Sequence, residues 1–253
     1  MKNHLIISLL ILSVGFSQQE YNSNDLIYMD NGLWTEKFSE EPITGKVYGY
    51  FGTVKPLKKV YIGNLLNGKK EGRWVVYHHS TGKKEYDYNY KDGEHDGLST
   101  VWYENGRKKS EGTYKDGERD GLSNWWYENG QKKFEGTYKD GEQDGLSNWW
   151  YENGQKESEG TYKGGNEDGL HIEWYENGQK SSEMTYKNEK YEGLWTGWYE
   201  DGQKKWEENH KDGVPDGLSN WWYENGQKKF EGTFKDGNWI SEKYWNKDGS
   251  VKE

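Results

Sequence analysis

The chain has 253 residues, a formal net charge of −10, 17% aromatic residues, 34 glycines, 3 prolines and no cysteine. An acidic balance without a basic block excludes nucleic acid and anionic lipid surfaces as ligands. The missing cysteine excludes disulfides, thiolate chemistry and a lipid-modified N-terminal cysteine, and the wealth of aromatics excludes a disordered chain.

In chain order, residues 1–17, "MKNHLIISLLILSVGFS", read as a signal peptide. Lys2 is followed by an apolar run from Leu5 to Phe16, with Gly15 and Ser17 as small residues before the cut. The run is shorter than the ~20 residues that span a bilayer. The mature protein is therefore expected to be exported (periplasmic, cell-surface or secreted), with no transmembrane segment after cleavage. Residues 18–44 form an N-terminal lead segment, 45–237 a repeat array and 238–253 a degenerate C-terminal cap.

The array is set by self-similarity. Opening glycines recur every 24 residues at Gly97, Gly121, Gly145, Gly169, Gly193 and Gly217, after looser units at Gly45 and Gly72. "GLSNWWYENG" is spelled identically at 121–130, 145–154 and 217–226. Each unit holds two strand-length runs, "LSNWWY" and "KKFEGTY" in the unit from Gly121. An Asn-Gly pair joins them, the signal for a two-residue type I′ hairpin with positive φ at both positions. The turn glycines are Gly106, Gly130, Gly154, Gly178, Gly202 and Gly226, with Asp201 replacing Asn in one unit. The predicted fold is all-β: an elongated single antiparallel sheet of stacked hairpins.

With that loop, Trp125 faces Phe134 and Tyr127 faces Lys132. One face then carries Ser123, Trp125, Tyr127, Phe134, Gly136 and Tyr138. The other carries Leu122, Asn124, Trp126, Lys133, Glu135 and Thr137. Tyrosines hold the first face as expected structural core: Tyr103, Tyr127, Tyr151, Tyr175, Tyr199 and Tyr223, with Tyr114, Tyr138, Tyr162 and Tyr186. The second tryptophan never changes (Trp102, Trp126, Trp150, Trp174, Trp198, Trp222), and a leucine from Leu98 to Leu218 accompanies it.

Phe134–Gly154, "FEGTYKDGEQDGLSNWWYENG", resembles the MORN repeat in its bacterial variant form. Phe134, Gly136 and Tyr138 match its aromatic-x-Gly-x-aromatic run, Gly141 and Gly145 its turn glycines, and Trp149 and Tyr151 its second strand. Ser147 stands where the family usually has another glycine, which suggests a less tightly bent strand. "EEPITGKVYGYF" at 40–51 resembles the start of proteins catalogued as YwqK-type antitoxins. The resemblance covers Pro42 to about Gly237 and implies stacked hairpins with scaffolding, protein-contact or membrane-associated roles. An export signal suits an immunity role outside the cytoplasm better than neutralisation of a cytoplasmic toxin.

The tryptophan ladder is the candidate partner-binding surface, set against the plainer reading that Trp and Leu form half of a thin core shielded by lysine stems. "DGERDG" and "DGEQDG" are explained by turn chemistry and lack the ligand set of a calcium loop. The histidines fall at unrelated repeat positions, and no catalytic triad, phosphate loop or metal motif appears. The expectation is a non-enzymatic exported scaffold, with no catalytic residue, metal or cofactor. It would bind a protein partner through an extended aromatic and acidic face. The alternatives are carbohydrate or cell-wall binding through the ladder, and an antitoxin or immunity partner.

Overall fold

The computed structural model describes residues 19–52 and 56–252; the apolar leader at 1–17 lies outside them. Among the described residues, no helix is long and apolar enough to cross a membrane. Among the described residues the only helical element is a single 3-10 turn, Ser23–Asp25. The rest is strand and turn, and successive hairpins build one sheet of 20 strands.

From Gly45–Phe51 to Asn238–Tyr244 the strands form an antiparallel meander. The sheet as a whole is mixed, because Glu20–Asn22 pairs in parallel with Lys46–Tyr48. That parallel strand belongs to the lead segment and adds to the predicted antiparallel sheet of hairpins, which the repeats form. Parallel pairing needs a long connection, and the lead segment supplies it with a two-stranded hairpin, Leu26–Tyr28 with Trp34–Glu36. The strand covers an otherwise open edge.

The lead segment also packs on the first hairpins to make an apolar core. Tyr21, Leu26, Ile43, Val47, Ile62, Leu65 and Trp74 are buried together, with Trp34, Phe51 and Tyr90 packed against them. Such an end cap is what a stacked array requires. At the other end, Asn238–Tyr244 is exposed throughout, and Trp245 turns back to bridge Val251.

The Asn-Gly turn differs from the sequence expectation. At the Asn-Gly turn, Gly130 N–H donates to Tyr127 O at 2.9 Å and Tyr127 N–H to Gln131 O at 2.8 Å. Only the glycine has positive φ, 94°. This is a three-residue loop ending in a left-handed glycine, not a two-residue type I′ loop. Asn129 avoids positive φ because its Oδ1 accepts from Gln131 N–H at 2.8 Å. The type I′ geometry sits at the Asp-Gly connections, where Asp140 and Gly141 have φ of 48° and 84°.

The longer loop changes the register. Trp125 does face Phe134, but Trp126, not Tyr127, faces Lys132, with a bulge between the pairs. Two consecutive residues, Lys133 and Phe134, thus oppose Trp125. Lys133 moves to the Trp125 face, its ammonium 5.3 Å from the Tyr127 ring. Lys132 takes the Trp126 face.

On the Trp125 face, glycine and aromatic side chains are complementary. Phe134 is fully buried, with ring centroids 4.7 Å from Trp125 and 4.5 Å from Trp149. Its ring lies across Gly136, where a Cβ would stand 2.5 Å from Cζ. The same service is rendered by Trp74 over Gly63, His171 over Gly160 and Trp206 over Gly197. Where Ser182 removes the ring, Met184 replaces the glycine and is buried. Ser147, at the family's usual glycine, is buried with its Oγ unpartnered.

Candidate functional site

The bulge after each Asn-Gly turn builds the second face. It brings residues three apart, Lys132 and Glu135, to the same side, where they form an ion pair. The same pairing recurs at Lys84–Asp87, Lys108–Glu111, Lys156–Glu159, Lys180–Glu183, Lys204–Glu207 and Lys228–Glu231. Each lysine also lies over the ladder tryptophan of the next unit. The ammonium-to-ring distances are 5.3 Å for Lys84–Trp102, 5.8 Å for Lys108–Trp126, 5.7 Å for Lys132–Trp150 and 5.5 Å for Lys156–Trp174. They are 5.8 Å for Lys180–Trp198 and 5.9 Å for Lys204–Trp222.

The ladder is thus a repeated indole–ammonium–carboxylate chain, each cation–π contact contributing about 0.5–1 kcal/mol at such half-exposed sites. It extends to Trp245, under Lys228 at 5.7 Å, a member that sequence reading missed. The signal was there in "YWNKDG", a worn copy of "WWYENG". The lysines were legible too, at a strict spacing from Lys84 to Lys228.

The ladder tryptophans are all half-buried. The leucines beside them do not form core with them: Leu98, Leu122, Leu146, Leu170, Leu194 and Leu218 are 48–53% exposed. That corrects the thin-core reading of the Trp–Leu pair. An apolar row remains open to solvent, one leucine per hairpin, or about 10 Å apart at ~4.8 Å per strand.

The Tyr103 series joins the units. Tyr103 Oη donates to Trp126 O, Tyr127 to Trp150, Tyr151 to Trp174, Tyr175 to Trp198 and Tyr199 to Trp222, each at 2.8 Å, and Tyr223 to Trp245 at 3.0 Å. The turns add a second link, in which Asn129 Nδ2 donates to Glu152 O at 3.0 Å. Asp201 has no such donor, so the swap from Asn removes that link. Every predicted turn glycine has positive φ: 90°, 94°, 88°, 84°, 85° and 76° from Gly106 to Gly226. The tyrosines read as core, Tyr114, Tyr138, Tyr162 and Tyr186 included, are half-buried at the unit junctions.

Residues 96–116, 119–140, 143–163, 167–188 and 215–236 each match the MORN repeat variant. The chain is a MORN-variant repeat protein. No curated protein matches it. The unit from Gly193, which is not among the matched stretches, carries Trp195, Trp206 and His210 in place of the usual small and tyrosine residues, yet keeps Trp198 and the Tyr199 link. Among the described residues no cluster of His, Cys, Asp or Glu could hold a metal ion.

Burial of phenols gives the MORN array a distinct pH response. Tyr88 and Tyr90 are pushed up to about 12, mainly by burial, and burial also raises Tyr103, Tyr127, Tyr151, Tyr162, Tyr175 and Tyr199. An unfolded tyrosine ionises near 10. Above that pH the unfolded chain binds fewer protons than the folded one, so stability falls as pH rises. Full stability is expected below about pH 10, with loss toward about pH 12. Urea midpoints across this range, recorded with tyrosinate absorbance, check the sign; a midpoint rising with pH would contradict it.

Proposed function

We propose that this MORN-variant protein is an exported, non-enzymatic scaffold that binds a protein partner along the face carrying the leucine row and the tryptophan ladder. The observation that carries the reading is the half-exposed leucine at the same position of every unit from Leu98 to Leu218. Apolar side chains repeated in register along a polar sheet are an interaction surface rather than a solubility device. The flanking lysines and carboxylates are already paired with one another. They form a polar rim to an apolar row, as at protein interfaces.

Carbohydrate stacking on the ladder is less well supported, because a lysine ammonium occupies a face of each indole. Export to the periplasm, cell surface or medium suits an apolar leader that ends before the repeats begin.

The test is photo-crosslinking in envelope fractions with a reactive residue at position 194, in the same row. A triple Leu122→Ser/Leu146→Ser/Leu170→Ser variant is the control. One partner captured by the wild type and lost from the variant, with an unchanged unfolding midpoint, is the expected result. Equal capture by both, or none by either, overturns the reading, as does quenching of the ladder tryptophans by a polysaccharide.

A further inference from the structure

The second residue after each Asp-Gly type turn points to the Trp125 face, opposite the leucines. Along the array this position reads Lys70, His95, Arg119, Gln143, Glu167, Tyr191, Pro215 and Trp239. It is basic only in consecutive units at the N-terminal end. Each basic group is set among tyrosines. Lys70 Nζ lies 4.7 Å from the Tyr90 ring, 5.1 Å from Trp74 and 5.9 Å from Trp34. His95 packs 4.5 Å from Tyr90, 4.7 Å from Tyr88 and 5.2 Å from Tyr114. The Arg119 guanidinium lies 5.1 Å from Trp125 and 5.2 Å from Tyr138.

Unlike the ladder lysines, these cations pair with no carboxylate among the described residues. Among the described residues, Lys70 donates only to Tyr90 Oη at 3.4 Å, and Arg119 Nε to Tyr114 Oη at 3.3 Å. Half-buried charge without a counter-charge is unfavourable in the free protein, and burial accordingly lowers the Lys70 pKa. Burial and the charge of Lys70 lower His95 as well, leaving a neutral imidazole between two cations.

Both cations open on cavities. One, of about 230 Å³, is walled by Tyr28, Trp34, Lys70 and Tyr90. The other, of about 190 Å³, is lined by His95, Tyr114, Arg119, Ser123 and Trp125. It occupies the place that Phe134 fills in the next unit, because Ser110 stands there instead. The buried Ser123 Oγ that faces it has no partner. Glu111 also lines it, but its carboxylate is paired with Lys108 on the opposite face of the sheet.

We propose that this row is a docking track for an extended acidic peptide segment of a partner, crossing the strands with one carboxylate at Lys70 and another at Arg119. The two cations are four strands apart, ~19 Å at ~4.8 Å per strand, and six residues of extended peptide span ~20 Å. A peptide fits better than an acidic glycan. The ring faces that a sugar would stack on are taken: Tyr90 by Lys70 and His95, Tyr138 by Arg119. What is left is charge and hydroxyl groups at the ends of narrow cavities, which side-chain carboxylates on flexible stems can reach. At a Debye length of ~8 Å the distant acids of the chain are screened. The track lies on the face opposite the leucine row and does not depend on it.

The test is fluorescence anisotropy with a labelled Gly/Ser peptide carrying glutamates six residues apart, against one of the same composition with adjacent glutamates. Arg119→Gln installs the residue of the next unit at that position and Lys70→Met relieves a buried charge, so both variants are expected to fold. Saturable binding of the spaced peptide is expected. It should weaken at least about tenfold with each variant and weaken further with salt. The leucine triple variant should bind it unchanged, which separates failure of this track from failure of the leucine face. Equal binding of the two peptides, indifference to both variants, or binding of a polyuronate in place of the spaced peptide overturns the proposal.

Discussion

Phe134→Ala is expected to destabilise the array by about 3–5 kcal/mol, the range for truncating a fully enclosed aromatic. The ring is 0% exposed and touches Trp125, Trp149 and Tyr138. Its loss leaves a cavity that strands tied on both sides cannot close. Gly136→Ala alone is expected to cost about 1–3 kcal/mol, because the new Cβ overpacks a filled site. That methyl would stand 2.5 Å from Phe134 Cζ and 2.7 Å from Ser147 Oγ. Together the two changes should cost less than their sum, since removing the ring removes the main clash. Urea unfolding of the four proteins measures the coupling; strict additivity would show that ring and glycine do not fit each other. The array should survive the change, because the units with Ser110, Ser158 and Ser182 at this position still pair as hairpins.

Trp74→Ala is expected to be comparably damaging, by about 3–5 kcal/mol, and damaging in a particular place. Trp74 is 7% exposed, lies across Gly63 and donates from Nε1 to Asn64 O at 3.0 Å. It joins the aliphatic core under the lead segment to the first repeat hairpins. Its loss should free the lead segment before the repeats, and limited proteolysis should cut within 19–44 while the repeats stay protected. Equal protection of both parts would mean that the cap does not hang on this side chain. Such local loosening is what a repeat array shows when each unit contacts only its neighbours.

Much of the molecule was legible because the repeat says the same thing many times. Strand positions, the turn glycines and the facing of Trp125 with Phe134 all follow from period-two alternation between turn signals. The turn type did not follow. Asn-Gly is compatible with two loops, and Asn129 takes the three-residue form because its side chain already supplies the turn's hydrogen bond. One added loop residue then moved Lys133 across the sheet and put Lys132 beside Glu135. The basic row at Lys70, His95 and Arg119 was hidden for the opposite reason. It occupies the position where units differ, and attention to repetition passes over it.

The sequence by itself determined the hairpin unit, its period and the ladder, since these depend on local turns and on neighbours one repeat away. Only the tertiary structure decided how the array ends and which side chains remain open. The parallel strand Glu20–Asn22, the core around Val47 and Leu65 and the exposure of the leucine row are settled by contacts between segments that share no pattern. Burial depends on what comes to lie over a residue, and in a single-layer sheet a leucine with nothing above it stays in water however regularly it is repeated.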